Sequence, residues 1–134
     1  MTPLRFVRLL LRATVVAALP PWSTLASVQE PTTVTIGGVA RKAIGTITGM
    51  TAGDVACYVS LRDDRGAAFE EMADFGICER EAELKGRRVR LTYELGKVLA
   101  DSCKGNPDCK QTRTVALIRT ATVIGSVSKP AGAR

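Results

Sequence analysis

All four cysteines, Cys57, Cys78, Cys103 and Cys109, lie downstream of a segment with the three-zone layout of a removable export signal. Residues 1–26 run from a basic start carrying Arg5, Arg8 and Arg12, through an apolar stretch from Ala13 to Leu19, to a polar end at Thr24-Leu25-Ala26. This is the order of a secretory signal peptide. Pro20 and Pro21 end any helix there, and the small residues Thr24 and Ala26 suit a signal peptidase pocket, which places cleavage between Ala26 and Ser27. An uncleaved anchor is the alternative, but a bilayer span needs about 20 mainly apolar residues. Here Arg12 bounds the uncharged run and the proline pair interrupts it. No cysteine stands near the cleavage point for lipid attachment, and no adjacent arginine pair marks a folded-export route. A periplasmic or secreted protein without a transmembrane anchor is therefore expected, in a compartment where disulfides persist. Intact mass checks this: the exported product should begin at Ser27, and a soluble product that retains Arg5 to Arg12 overturns it.

Removing the leader takes three of the 19 basic groups and none of the 13 acidic ones, so the formal charge of +6 falls to about +3. An excess of that size is ordinary for a soluble surface and disfavours nucleic acid as a partner. About 108 of the 134 residues remain. That length suits one domain with a limited core, for which covalent staples are useful.

Ser27 to Thr35 is a polar, Pro- and Thr-containing stretch with little to bury, read as a flexible leader (27–35) before a domain at 36–128 and a disordered tail at 129–134. Ala40 to Met50 is rich in β-branched residues, with glycines spaced as in a long bent strand. Val55, Cys57, Val59 and Leu61 alternate with Ala56, Tyr58, Ser60 and Arg62, the period of a half-buried strand. Asp63-Asp64-Arg65-Gly66 is turn chemistry, and Ala67 to Met72 returns as a third strand. A short helix is expected between Asp74 and Lys85, capped near Asp74, supported by Glu81 and Lys85 at i,i+4 and ended by Gly86. Arg87 to Val98 alternates again, Ala100 to Thr114 reads as a loop, and Val115 to Val127 supplies a fifth strand.

The order strand, strand, strand, short helix, strand, long loop, strand, with a bent first strand, resembles an OB-fold over about Val39 to Val127. The run Leu84-Lys85-Gly86-Arg87-Arg88-Val89 leading into the fourth strand is part of that resemblance. In architecture the chain resembles small exported bacterial proteins with this kind of barrel. The resemblance implies a mainly β fold, a small five-stranded OB-like barrel with one short helix between strands three and four, stapled by disulfides. Another small β-barrel or an α+β sandwich is the structural alternative, since five short strands do not determine their own pairing.

Four cysteines permit three connectivities. Cys103 and Cys109 bracket Lys104-Gly105-Asn106-Pro107-Asp108, which turns readily, so their pairing would clip the loop before the last strand. Cys57 and Cys78 would then tie the second strand to the helix. A catalytic dithiol prefers a two-residue gap, and here the gap is five. Zinc is disfavoured by export and by the lack of histidine. Asp63, Asp64, Glu70, Glu71 and Asp74 do not follow a calcium-loop pattern and read as a solvated turn and helix end. Serine and threonine nucleophiles have no histidine base and no Ser-x-x-Lys or Gly-x-Ser-x-Gly motif. The glycines at Gly37-Gly38, Gly45, Gly49 and Gly53 do not form a phosphate loop. No metal, cofactor or catalytic residue is expected.

A binding face remains. OB-type barrels use the surface around strands two and three and the adjoining loops. In this chain that surface comprises outward Tyr58, Ser60 and Arg62, with Phe69 if the third strand has that register. A tyrosine beside an arginine can stack on a ring and hold an anion. Lys85, Arg87, Arg88 and Arg90 form a second, basic candidate. Each group also has a plain structural reading, as good strand residues or a solvated rim. The expectation is an exported non-catalytic binding module for a protein, peptide or envelope glycan. The opposing class is a thiol-disulfide redox factor or small secreted enzyme using Cys103 and Cys109.

Overall fold

The computed structural model of the protein describes Ala17 and residues 25–125. The segment expected to be an export signal, apart from Ala17, Leu25 and Ala26, and the expected tail at 129–134 lie outside the described residues. No helix among the described residues is long and apolar enough to cross a membrane.

Among the described residues, seven strands form a closed five-stranded barrel and a separate hairpin. The hairpin comes first: β1 (Thr33–Ile36) and β2 (Val39–Lys42) pair antiparallel, Ile36 opposite Val39. Their connection is Gly37-Gly38, both at positive φ (57° and 78°), which a two-residue turn matching strand twist requires. The barrel comprises β3 (Ile44–Ala52), β4 (Cys57–Arg62), β5 (Ala68–Ala73), β6 (Arg88–Leu99) and β7 (Thr112–Val123), in the spatial order β3-β4-β5-β7-β6. β6 pairs back to β3, closing the sheet. This is an OB-like architecture.

The expected strand from Ala40 to Met50 is thus two strands broken at Ala43, the first of them belonging to the hairpin. The register of β3 against β4 shifts between Ile47 and Gly49, the bulge that bends the strand round the barrel. The single expected helix is two four-residue turns, α1 (Phe75–Cys78) and α2 (Glu81–Leu84). Segments this short do not offset the cost of helix nucleation by themselves. Each is held by one buried residue, Ile77 or Leu84. Asp74 stands at the first N-cap without a side-chain cap bond, because its carboxylate pairs with Arg119 instead. The expected Glu81–Lys85 pair is present at 3.6 Å.

Inward residues fill the barrel as the alternation requires. Ile47, Cys57, Val59, Leu61, Leu84, Val89, Leu91 and Ile118 are buried in one cluster. Both expected disulfides are present. Cys57–Cys78 joins β4 to α1 from within the core, and Cys103–Cys109 clips the loop that follows a 3-10 turn at Asp101–Cys103. That clipped loop reaches the β3–β4 loop: a Cβ on Gly105 would stand 2.9 Å from Asp54 Oδ2.

Candidate functional site

The barrel is unevenly sealed. β6 and β7 pair continuously from Val89↔Val123 to Leu99↔Thr112 except for a shift at Thr92/Tyr93, whereas β5 and β7, which run parallel, pair only at Ala73↔Ile118. One further backbone bond, Asp74 N–H to the Ile118 carbonyl at 3.0 Å, completes that closure. Below it the two strands diverge. The facing edges of Ala68–Met72 and Thr112–Leu117 have no strand partner among the described residues.

A cleft of about 310 Å³ occupies this seam, lined by β5 (Glu70, Glu71, Met72), β7 (Arg113 to Ala116), Tyr58, Leu95 and the hairpin (Ile36, Gly37, Val39, Arg41). The hairpin is brought there by its own turn: Gly37 approaches Leu95 so closely that a Cβ would stand 3.2 Å from Cδ2. Val39 and Leu95 are 52% and 54% exposed, two of the few large apolar side chains of the folded part left in water. They form an apolar lip.

Charge is concentrated behind that lip. Glu71 faces inward opposite Val59 and is only 7% exposed, the one buried charged residue among those described. Arg41 of the hairpin meets it at 2.7 Å. Burial pushes the Glu71 carboxyl above the ordinary glutamate value, and the Arg41 guanidinium only partly opposes this. Tyr93 lies close by on β6. Burial first, and the Glu71 charge second, raise its phenol, while its hydroxyl donates to the Lys42 carbonyl at 2.8 Å and fixes the hairpin's last residue. Arg113 pairs at 3.2 Å with Asp101, itself 84% exposed. The Nε atoms of Arg41 and Arg113 are both buried without an acceptor.

The residues singled out from the sequence fall in different places. Tyr58 lines the cleft, with its ring laid over Gly53, where a Cβ would stand 2.4 Å from Cε2. Arg62 points outward on the same strand face and donates to the Gly66 carbonyl at 2.9 Å across the β4–β5 turn. Phe69 does not share that face. It pairs with Leu61, packs against the core and carries Lys42 over its ring at 5.1 Å, because the tight turn puts Phe69, Glu71 and Ala73 in phase with Leu61, Val59 and Cys57. Arg88 grips Asp64 with two bonds of 2.8 Å and the Gly125 carbonyl with a third at 3.0 Å. Arg90 pairs with Glu30. The basic rim is thus largely neutralised by the protein's own carboxylates, and Asp64 is held below its ordinary value by Arg88.

Glu71, Arg41, Arg113 and Leu95 were not distinguishable as site residues from pattern alone, although Glu71 sits on the inward phase of β5 once the turn is placed. Among the described residues no cluster of three potential metal ligands occurs. Comparison with protein-family models, curated proteins and solved structures finds no match.

Proposed function

We propose that this chain is an exported, non-catalytic binding module, acting in the periplasm or outside the cell on a protein, peptide or glycan ligand of the envelope. The observation that carries the reading is the seam cleft, where exposed Val39 and Leu95 stand beside partly unsatisfied guanidinium groups in an otherwise well-packed barrel. Apolar surface with a few convergent polar groups is the usual composition of a ligand site. The two disulfides suit an oxidising compartment.

Crosslinking in the native envelope followed by mass identification tests it. Wild type should yield a specific partner. Changing Tyr58→Ser and Arg62→Gln together should lower capture about tenfold, the loss of one good contact, with both disulfides and the β signature in circular dichroism retained. The pair Arg88→Gln and Arg90→Gln should leave capture unchanged, and if only this second variant loses it, the binding surface is the basic rim. A free-thiol assay after mild reductant should find both bridges intact; ready reduction of Cys103–Cys109 would favour a redox role.

A further inference from the structure

We infer that the seam cleft takes an extended peptide segment bearing a carboxylate, which adds as a strand along the open edge of β7 or β5 and seats its acid on Arg113 beside Arg41. The inference rests on the binding-module reading and narrows its ligand to one chemical class. Three observations converge on it. First, β5 and β7 diverge below Ala73↔Ile118, leaving two strand edges that face each other across the cleft without ladder partners among the described residues. Such edges are templates for an added strand, since their amides repeat at the spacing of a peptide's own. Second, the cleft's cations are under-used. Arg113 meets only a largely exposed aspartate, and its Nε, like that of Arg41, is buried without an acceptor. The Arg113 side chain is itself 39% exposed, so an incoming carboxylate can meet its terminal guanidinium nitrogens in a charge-assisted bond. Third, the lip of Val39 and Leu95, with Met72 and Val115 behind it, suits the apolar side chains that alternate with such an acid along a strand.

A sugar acid would satisfy the guanidinium groups equally but not the strand edges. The one aromatic side chain lining the cleft, Tyr58, is packed over Gly53. A volume of 310 Å³ lies at the small end of the about 300–1,000 Å³ range of ligand sites and suits a few residues of extended chain.

The test offers the exported, disulfide-intact protein three probes: a randomised hexapeptide pool, the same pool with every carboxyl group amidated, and a mixture of uronic-acid oligosaccharides. Mass spectrometry reads what is retained. Acid-bearing peptides should be retained, and amidation should weaken retention about tenfold or more. Arg113→Gln should have the same effect, since it leaves only the exposed Asp101 unpaired. Thr114→Trp, an exposed position in the cleft wall, should abolish retention, and so should N-methylation of alternate amides in the retained peptides. Retention of the oligosaccharides alone, lost in Thr114→Trp, overturns the peptide inference and leaves the binding-module reading standing. Peptide retention that ignores Thr114→Trp places binding elsewhere and overturns both. A concentration-dependent dimer that Thr114→Trp abolishes puts a second copy in the cleft and overturns the inference, as does failure to retain any probe.

Discussion

Replacing Cys57 and Cys78 together by Ala is expected to destabilise the barrel by about 3–5 kcal/mol, the upper part of the about 2–5 kcal/mol typical for removing a native disulfide from a small domain. Two contributions add. The bridge closes a loop with a sequence separation of 21, for which chain-entropy reasoning gives about 3 kcal/mol. Cys57 is also fully buried, so losing its sulfur withdraws contacts from Val59 and Leu84's cluster. Against a total of about 5–15 kcal/mol for such a domain, the loss takes a large share, and the thermal midpoint should fall by more than about 10 °C. The matching change at Cys103 and Cys109 closes a loop with a separation of only 6, so about 2 kcal/mol is expected. Equilibrium urea unfolding of the two double variants measures both, and an equal or larger loss at Cys103 and Cys109 would show that the core bridge is not the principal staple.

Arg41→Ala should be the next most damaging substitution, and its cost should depend on pH. Removing one partner of a buried ion pair leaves an uncompensated charge, about 3–5 kcal/mol when both groups are buried. The Arg41 side chain keeps 32% of its exposure, so about 2–3 kcal/mol is expected near pH 8. Burial holds the Glu71 carboxyl above 4.5, its value in the unfolded chain. In the window above 4.5 the folded state therefore binds more proton than the unfolded state, and the Glu71 contribution to stability falls as pH rises through that window. Taking away Arg41 removes the charge that opposes burial and widens the window upward. The cost of Arg41→Ala should accordingly shrink between pH 8 and pH 5, as Glu71 takes up a proton and stops being a buried anion. Asp63, Asp64 and Glu83, held low by Lys42, Arg88 and Arg80, carry the opposite sign and lose their contribution as pH falls. They are present in both proteins and cancel in the difference. In a Glu71→Gln background the Arg41→Ala cost should no longer vary with pH; variation that persists would assign the effect to another group.

The barrel was legible in the sequence wherever a strand has one wet face. Cys57 to Arg62 alternates because β4 buries one side and leaves the other half-buried or exposed, and that alternation also puts Cys57 inside, opposite a partner in the following helix. Val55, expected on the same inward face, instead precedes the strand and packs with buried Ala56 in a second cluster. The hairpin is hard to see in the sequence because Thr33–Ile36 and Val39–Lys42 bury little on either side. Their signal was the Gly37-Gly38 pair between two β-branched runs, which is hairpin chemistry. The start of β7 looks like loop in the sequence for a related reason. From Thr112 to Thr114 the β6–β7 ribbon overshoots the core, so its residues are polar without being irregular. The candidate site lay furthest from view, since Glu71 follows Glu70 and looks like one more solvated acid until the register sets it opposite Val59. Nothing in Arg41 or Arg113 marks them until the hairpin is folded over the seam.

The single rung between Ala73 and Ile118 also orders events in time. Strands β3 to β5 form a local meander that can assemble as soon as it emerges, but both its edges wait for later chain: β3 for β6 and β5 for β7. Ile118 lies 45 positions beyond Ala73, so the final strand must be in place before the sheet can close. Until then the nascent meander carries two bare edges of the kind that recruit other chains. The barrel is therefore closed by its last element, and a chain cut short before β6 and β7 would keep both edges bare.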